Sequence, residues 1–338
     1  MLEQGGALTR HQVAREVWLH SQLPPHTHLV SMYAAWTERE GDVCMALEWC
    51  SGGDVRQLLG RQPGGKMRER EAAERVVAPV VAALVFLHSL GIIHRDVKPD
   101  NVLLSGPRRE AKLGDLGLAI HTGYERPRMR LGTLEYLAPE VVAMAGGVAA
   151  AQKQTTPAAA LADEPGAVGD TASAAPYDAK VDCWSVGVLA HELVLGRAPF
   201  EDECVAGGGL TAERLLARLS VASDKTPLVD PPSELFSPLA ADFVRRATER
   251  DPRKRASMAE LAAHPWLQQH ASAGDEQQRQ QRRVSCDDGA SPRTPRLDQQ
   301  QQQSQQREQQ QQLPQDWWAE RRARGQRRGS EGGGGGGR

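Results

Sequence analysis

The sequence predicts an α+β fold in which two strands near the start precede a larger helical region. Two short apolar stretches joined by a polar turn, Val30–Trp36 and Val43–Glu48, indicate the strands. Two long apolar segments further along, Glu71–Leu90 and Val181–Leu195, are typical of buried helices. Between them lies a compact run of polar and charged residues at 94–101, which indicates a loop with a chemical role.

The elements follow from local patterns in chain order. Gln12–Leu23 is predicted as the first helix, because Val13 and Val17 share one face. The two strands come next. The long helix that starts near Glu71 is expected to end at Gly91, since glycine readily adopts the left-handed conformation that closes helices.

Two segments have compositions that do not favour a packed core. Met144–Pro176 is mostly Ala, Gly, Thr, Pro and acidic residues, and we expect it to be a disordered insertion after which order resumes near Tyr177. From Gln268 onward the chain is dominated by Gln, Arg, Ser and Gly. Such a tail buries too little apolar surface to offset its conformational entropy, so 268–338 is predicted to be disordered.

Composition narrows the partners and the compartment. The formal net charge of −2 over 338 residues gives no reason to expect nucleic acid as a partner. Five widely spaced cysteines without a Cys-x-x-Cys pair favour a reducing compartment, cytoplasmic or nuclear, over a disulfide framework or a zinc site. The longest apolar run, Val76–Leu87, is too short to cross a bilayer, so no membrane span is predicted.

The most informative stretch is the loop at 94–101, which reads His-Arg-Asp-Val-Lys-Pro-Asp-Asn. It sets a carboxylate, an ammonium and an amide close together at Asp96, Lys98 and Asn101. The carboxylate can orient an attacking hydroxyl and accept its proton, the lysine can offset charge on a phosphate, and the amide oxygen can help to hold a metal ion. The loop therefore indicates phosphoryl transfer from a magnesium nucleotide to a hydroxyl.

Further motifs follow in a recognisable order. They are Asp115-Leu116-Gly117, Gly132-Thr133, Ala138-Pro139-Glu140, the run 182–187 and Arg255. Together with the loop, their order and spacing resemble the eukaryotic protein kinase family over about residues 10–267. The resemblance implies a bilobal fold with ATP and Mg²⁺ as cofactors. Residues 1–50 would be a partial small lobe, and 51–267 a helical large lobe interrupted at 144–176.

The resemblance also assigns roles to individual residues. Asp96 would be the proton acceptor, with Lys98 and Thr133 beside it, and Asn101 and Asp115 would be the metal ligands. The nucleotide-binding set would comprise Glu16, Leu47, Glu48, Cys50, Asp54, Lys98, Asp100 and Leu103.

Within that set, Glu16 would pair with a strand lysine, and Leu47 would be the gatekeeper before the hinge at 48–50. Asp54 would contact the ribose and Leu103 would lie beneath the adenine. Three further positions resemble structural residues of the family. These are an ion pair of Glu140 with Arg255, and Asp182, which would anchor the catalytic loop.

The branch of the family follows from two positions. Lys98 and Thr133 are similar to the serine/threonine kinases, so the expected substrates are Ser and Thr residues of proteins. Arg15-Glu16-Val17 and the run 132–136 are similar to Aurora kinases, and His20 and Gln22 are also similar to the polo-like kinase of centriole duplication. A calmodulin-kinase-like or NIMA-like enzyme remains the alternative.

The chain departs from the family before Glu16. No Gly-x-Gly-x-x-Gly pattern precedes it, and the first lysine in the sequence is Lys66. We therefore expect a fragment whose small lobe lacks its first three strands, with poor activity by itself. The alternative is a non-catalytic pseudokinase that serves as a scaffold through its large lobe.

A second departure concerns activation. In the family, an arginine such as Arg95 pairs with a phosphate on the segment that runs from Asp115 to Glu140. In Aurora-like sequences the phosphorylated threonine occupies the position of Met129, which cannot be phosphorylated. The sequence therefore predicts activation by another route, either an activating protein or Glu125.

Overall fold

The structure is a computed structural model that describes residues 6–38, 42–107, 109–127, 131–144, 177–199, 211, 214–215, 217 and 229–269. The insertion predicted at 144–176 lies outside these residues apart from Met144, and the tail predicted at 268–338 lies outside them apart from residues 268–269. The described residues belong to two compact units. One contains residues 6–31 and 48–269, and the other contains the segment 32–47.

Helix α1 spans Gly6–Gln22 and confirms the first predicted helix, although it begins six residues before Gln12. The prediction relied on apolar periodicity, whereas Ala7 and Leu8 extend the helix through their intrinsic propensity. The helix buries Val17 and Leu19, and His20 Nε2 lies 2.8 Å from the Val30 carbonyl oxygen.

Strands β1 (Met32–Thr37) and β2 (Val43–Leu47) form an antiparallel pair in the second unit, as predicted. Trp36 lies opposite Cys44 in the register. The prediction started the first strand at Val30, which instead donates its N–H to the carbonyl of Leu113, 3.0 Å away. That long-range pairing is not visible in the local pattern.

The first unit continues with a short helix and a long one. Helix α2 (Val55–Gly60) begins after Asp54, whose side chain accepts the N–H of Gln57 at its first turn. The long helix comprises α3 (Glu69–Ala72), a π-turn at Ala73–Val77 and α4 (Ala78–Ser89). The π-turn ends just before Pro79, which has no N–H for the regular i→i−4 ladder. Gly91 follows with φ of +72°, which confirms the predicted helix end.

The helical run Glu69–Ser89 is long and apolar enough to cross a membrane, judged by length and composition alone. The sequence prediction considered only the shorter apolar run Val76–Leu87, which lies inside it. Its side chains nevertheless form the centre of the hydrophobic core. Val76, Val80 and Leu84 are almost completely buried against the rest of the unit. These contacts are those of a buried core helix, and such a helix can be as long and as apolar as a membrane span.

Two short antiparallel pairs frame the loop at 94–101. Strands β3 (Ile92–Ile93) and β6 (Ile120–His121) form one pair, and β4 (Val102–Ser105) and β5 (Glu110–Leu113) form the other. The loop connects β3 to β4, and Asp115 follows β5. The pairing therefore brings the loop and Asp115 to the same end of the two pairs.

Further helices in the described ranges are α5 (Pro139–Ala143), α6 (Lys180–Leu195), α7 (Pro238–Ala247) and α8 (Met258–Ala262). Helix α6 confirms the predicted apolar helix and is buried from Val181 to Val194. It packs closely on α7 at Gly187, where an added Cβ would lie 2.6 Å from the Thr248 Cγ2. Glycine is therefore required at this helix crossing.

The predicted ion pair between Glu140 and Arg255 is confirmed. Both terminal nitrogens of Arg255 donate to the Glu140 carboxylate, at 2.7 and 2.9 Å. The guanidinium also lies 5.2 Å from the ring centre of Trp184. This bidentate pair between a buried arginine and a partly exposed glutamate joins α5 to α6 and to the segment before α8.

We expect His191 to make the fold sensitive to mild acid. It is 6% exposed in α6, and burial lowers its pKa from about 6.5 to about 4. In the unfolded chain His191 binds a proton near pH 6.5, whereas in the folded protein it does so only near pH 4. The free energy of unfolding therefore falls as the pH drops from 6.5 towards 4. The loss is about 2 kcal/mol between pH 7.5 and 5.

The measurement is urea unfolding at pH 7.5 and pH 5 for the wild type and for His191→Gln, which cannot titrate. The variant is expected to lose about 2 kcal/mol less than the wild type over this interval. An identical loss in both proteins would contradict the assignment.

Candidate active site

The loop at 94–101 is held by one buried carboxylate. Asp182 of α6 accepts the backbone N–H groups of His94 and Arg95 at 2.9 and 2.8 Å, and His88 Nε2 lies 2.8 Å from the same carboxylate. Arg95 has a φ of +71°, which an L-residue adopts only when its surroundings enforce it. The predicted anchoring role of Asp182 is therefore confirmed.

Four predicted residues meet in a single polar cluster around Asp96. One carboxylate oxygen accepts from Lys98 Nζ at 2.7 Å and from Asn101 Nδ2 at 2.9 Å. The other accepts from Thr133 Oγ1 at 3.0 Å and from the Thr133 N–H at 3.2 Å. Lys98 Nζ also lies 2.8 Å from Thr133 Oγ1. The structure thus brings together Asp96, Lys98, Asn101 and Thr133.

The cluster keeps Asp96 ionised. Burial alone would raise the pKa of Asp96, but the hydrogen bond and charge of Lys98, with further bonds from Thr133 and Asn101, outweigh burial and lower it. At neutral pH the side chain is therefore a carboxylate. It can orient a hydroxyl and accept its proton.

Asn101 and Asp115, the predicted metal ligands, each have a side-chain oxygen that could coordinate a metal ion. Asn101 uses its Nδ2 on Asp96, which leaves its side-chain oxygen for another partner. Asp115 is exposed, and one of its oxygens accepts the Gly117 N–H at 3.1 Å. Among the described residues no three His, Cys, Asp or Glu side chains form a metal cluster. An amide and a carboxylate suit Mg²⁺ that takes its other ligands from water and phosphates.

Glu16 lies beside Asp115 in the structure. Burial raises the pKa of Glu16, and the nearby charge of Asp115 raises it further. Its carboxylate also faces Gly117, where a Cβ would stand 3.4 Å away. Helix α1 therefore places the Glu16 carboxylate beside Asp115, one of the two predicted metal ligands.

The hinge residues are fixed by contacts that sequence reasoning missed. The Glu48 N–H donates to the Ser31 carbonyl at 2.8 Å. Its carboxylate accepts from Ser105 Oγ at 3.0 Å and pairs with Lys112 Nζ at 3.0 Å. Lys112 carries no local signal for this role, because its partner lies 64 positions earlier in the sequence.

The other predicted nucleotide residues are distributed as follows. Leu47 is the last residue of β2, and Cys50 lies two residues after Glu48, half-buried. Asp54 forms an isolated β-bridge with Leu103, which brings these two together. Asp100 is instead placed at the surface, where it accepts from Arg56 Nε at 3.4 Å. Their contacts with a nucleotide remain predictions.

The segment after Asp115 is fastened by two buried arginines. Arg15 of α1 pairs with Glu125 at 3.1 Å and donates to the Gly117 carbonyl at 3.0 Å. Arg95 donates to the Leu118 carbonyl at 2.6 Å and to the Tyr177 hydroxyl. Met129 lies outside the described residues.

Comparison with known proteins agrees with these features. The family model for the protein kinase domain matches residues 2–160 and 165–267. An Aurora kinase of Schizosaccharomyces pombe is 31% identical over 256 residues, which is 76% of this chain and 59% of the relative.

Two Arabidopsis thaliana proteins are similarly related. The serine/threonine-protein kinase Aurora-2 is 30% identical over 261 residues, which is 77% of this chain and 76% of the relative. CDPK-related kinase 5 is 31% identical over 268 residues, which is 77% of this chain and 37% of that protein. The chain thus spans from about a third to three quarters of the curated relatives it matches. With the polar cluster around Asp96 and a family match over most of its length, the chain belongs to the protein kinase family, among its serine/threonine kinases.

Proposed function

We propose that this protein transfers the γ-phosphoryl group of ATP to serine or threonine hydroxyls of protein substrates. The observation that carries the proposal is the Asp96 carboxylate, held by Lys98, Asn101 and Thr133 at hydrogen-bonding distance. Each member of the cluster has the residue type that the chemistry requires. This favours a kinase over a non-catalytic scaffold.

The reaction assigns one task to each side chain. The substrate hydroxyl oxygen forms a bond to the γ-phosphorus, the bond from that phosphorus to the bridging oxygen breaks, and ADP leaves. Asp96 orients the hydroxyl and accepts its proton. Lys98 offsets negative charge on the transferring group, and Thr133 holds the carboxylate in place.

The nucleotide would be held by groups on several elements. Asn101 and Asp115 would hold Mg²⁺ together with the nucleotide, and the bound ion would neutralise phosphate charge. The backbone at Glu48 and Cys50 would meet the adenine, with Leu103 as an apolar neighbour. The Cys50 N–H has no backbone acceptor within the described part of the chain, which supports this role.

We also propose that the enzyme works in the cytoplasm or nucleus. Cys44, Cys50 and Cys183 are free thiols, as a reducing compartment would keep them. The similarity to Aurora kinases supports a serine/threonine substrate class, and an activating protein partner remains a proposal.

Two carboxylate substitutions test the catalytic assignment. Asp96→Asn is expected to reduce phosphoryl transfer by about 100-fold or more, because it removes the proton acceptor. It should keep the magnesium-dependent stabilisation by ATP. Asp115→Asn should abolish that stabilisation, because it removes a metal ligand.

The measurements are single-turnover transfer from labelled ATP at high enzyme concentration and thermal denaturation with and without Mg·ATP. Single turnover is chosen because it reports the transfer step apart from product release. Asp230→Asn, at an exposed carboxylate far along the chain, is the control. Unchanged transfer by Asp96→Asn would overturn the proposed function.

We further propose that Glu125 stabilises the segment after Asp115 without phosphorylation. Its side chain is 10% exposed and that of Arg15 is 3% exposed, so the pair is shielded from water and salt. The same arginine holds the Gly117 carbonyl. A permanent carboxylate therefore fastens helix α1 to this segment.

Glu125→Gln is expected to loosen the segment, because it leaves the buried Arg15 charge uncompensated. Losing one partner of such a pair costs about 3 kcal/mol or more. Hydrogen exchange followed by mass spectrometry should show faster exchange at 115–127. Glu110→Gln, at an exposed position on β5, is the matched control. Equal exchange in all three proteins would refute the role of Glu125.

A further inference from the structure

An open cavity of about 460 Å³ lies between the end of helix α4 and the starts of helices α6 and α8. Its volume is in the range of small-molecule binding sites. Its apolar walls are formed by Val85, Ala179, Cys183, Met258 and Ala259. Burial raises the pKa of the Cys183 thiol to about 12, so this side chain stays neutral and behaves as a small apolar group. We call this space the α4–α6 cavity.

Five polar side chains also line the α4–α6 cavity, and four of them already have partners within the chain. Lys180 Nζ donates to the Arg255 carbonyl at 2.7 Å, and the Asp178 carboxylate accepts the Lys180 N–H at 2.8 Å. The hydroxyls of Ser89 and Ser257 donate to acceptors three residues away along the chain. Because Asp178 and Lys180 have opposite charges, the lining favours neither an anion nor a cation.

The fifth polar residue, His88, connects the cavity to the catalytic loop. Its Nε2 lies 2.8 Å from Asp182 Oδ2, and the same oxygen accepts the His94 N–H at 2.9 Å. Its Nδ1 has no hydrogen-bond partner among the described residues. A hydroxyl can either donate to this nitrogen or accept from it, and therefore suits every tautomer and protonation state of the imidazole.

We propose that the α4–α6 cavity binds a neutral aliphatic alcohol, with its hydroxyl at His88 Nδ1 and its hydrocarbon chain against the apolar walls. A hydrogen bond at Nδ1 restricts rotation of the imidazole, whose Nε2 contacts the carboxylate that holds the loop. The bound alcohol therefore stabilises the backbone at His94 and Arg95. This site is separate from the residues that contact Asp96, and its occupation requires no phosphoryl transfer.

Binding is measured on the full chain without nucleotide or protein substrate. The probes are 1-hexanol and 1-fluorohexane, which are closely matched in size, whereas fluorine forms much weaker hydrogen bonds than a hydroxyl. Dissociation constants are obtained from saturation-transfer NMR titrations of the wild type, Ala259→Trp and Ala263→Trp. Both alanines are exposed and lie about one helical turn apart, but only Ala259 lines the cavity, so Ala263→Trp is the matched control.

The wild type and Ala263→Trp are expected to bind 1-hexanol about fivefold more tightly than 1-fluorohexane, the size of one net hydrogen bond. Ala259→Trp should lose binding of both probes, because the indole fills the apolar space. Equal affinity of the wild type for the two probes would overturn the contact with His88. Equal binding of 1-hexanol by the wild type and Ala259→Trp would overturn the site.

Hydrogen exchange followed by mass spectrometry tests the connection to the loop. At about three times its Kd, 1-hexanol is expected to slow exchange at 92–97 by up to about fourfold in the wild type. Exchange at 32–47, in the other compact unit, should not change. Bound 1-hexanol without slower exchange at 92–97 would refute the coupling.

Thermal denaturation confirms that Ala259→Trp is folded. Should it be unfolded, Ala259→Leu replaces it in the same titrations, with the same criteria. The two proposals fail separately, because neither NMR titration nor hydrogen exchange involves phosphoryl transfer. Loss of the cavity site would leave the assignment of Asp96 intact, and unchanged transfer by Asp96→Asn would leave the cavity site intact.

Discussion

The geometry of the site depends on the buried carboxylate of Asp182. It accepts two consecutive backbone N–H groups, those of His94 and Arg95, and holds the backbone of Arg95 in a left-handed conformation. Burial would raise its pKa, yet the hydrogen bond and charge of His88 and the contacts with His94 lower it. The carboxylate thus stays charged inside the core. Its two hydrogen bonds fix the backbone at the start of the loop that carries Asp96.

Helix α6 organises more of the site than this one anchor. Ser185 donates to the Tyr136 carbonyl at 2.9 Å, and Glu192 contacts the Tyr136 hydroxyl. Asp182, Ser185 and Glu192 follow one another at spacings of three and seven, which place them on one helix face. A single core helix therefore positions both the catalytic loop and the turn that follows Thr133, which is why the two sides of the Asp96 cluster meet.

Two arginines near the site have carboxylate partners from within the chain. Glu125 pairs with Arg15, and Glu192 and Asp100 hold Arg56. The first pair fastens the segment after Asp115, and the second covers the surface next to the base.

The sequence by itself determined the chemistry of the loop at 94–101, the two strands and the core helix α6, because short motifs and apolar runs are local signals. The pairing of Glu140 with Arg255 was predicted through the family resemblance. The sequence placed the start of α1 too late and the start of β1 too early, since propensity and the contact between Val30 and Leu113 lie outside apolar periodicity. Only the tertiary structure decided which distant charges pair, as in Arg56 with Glu192. Any carboxylate in the chain is a possible partner until folding selects which ones share a buried site.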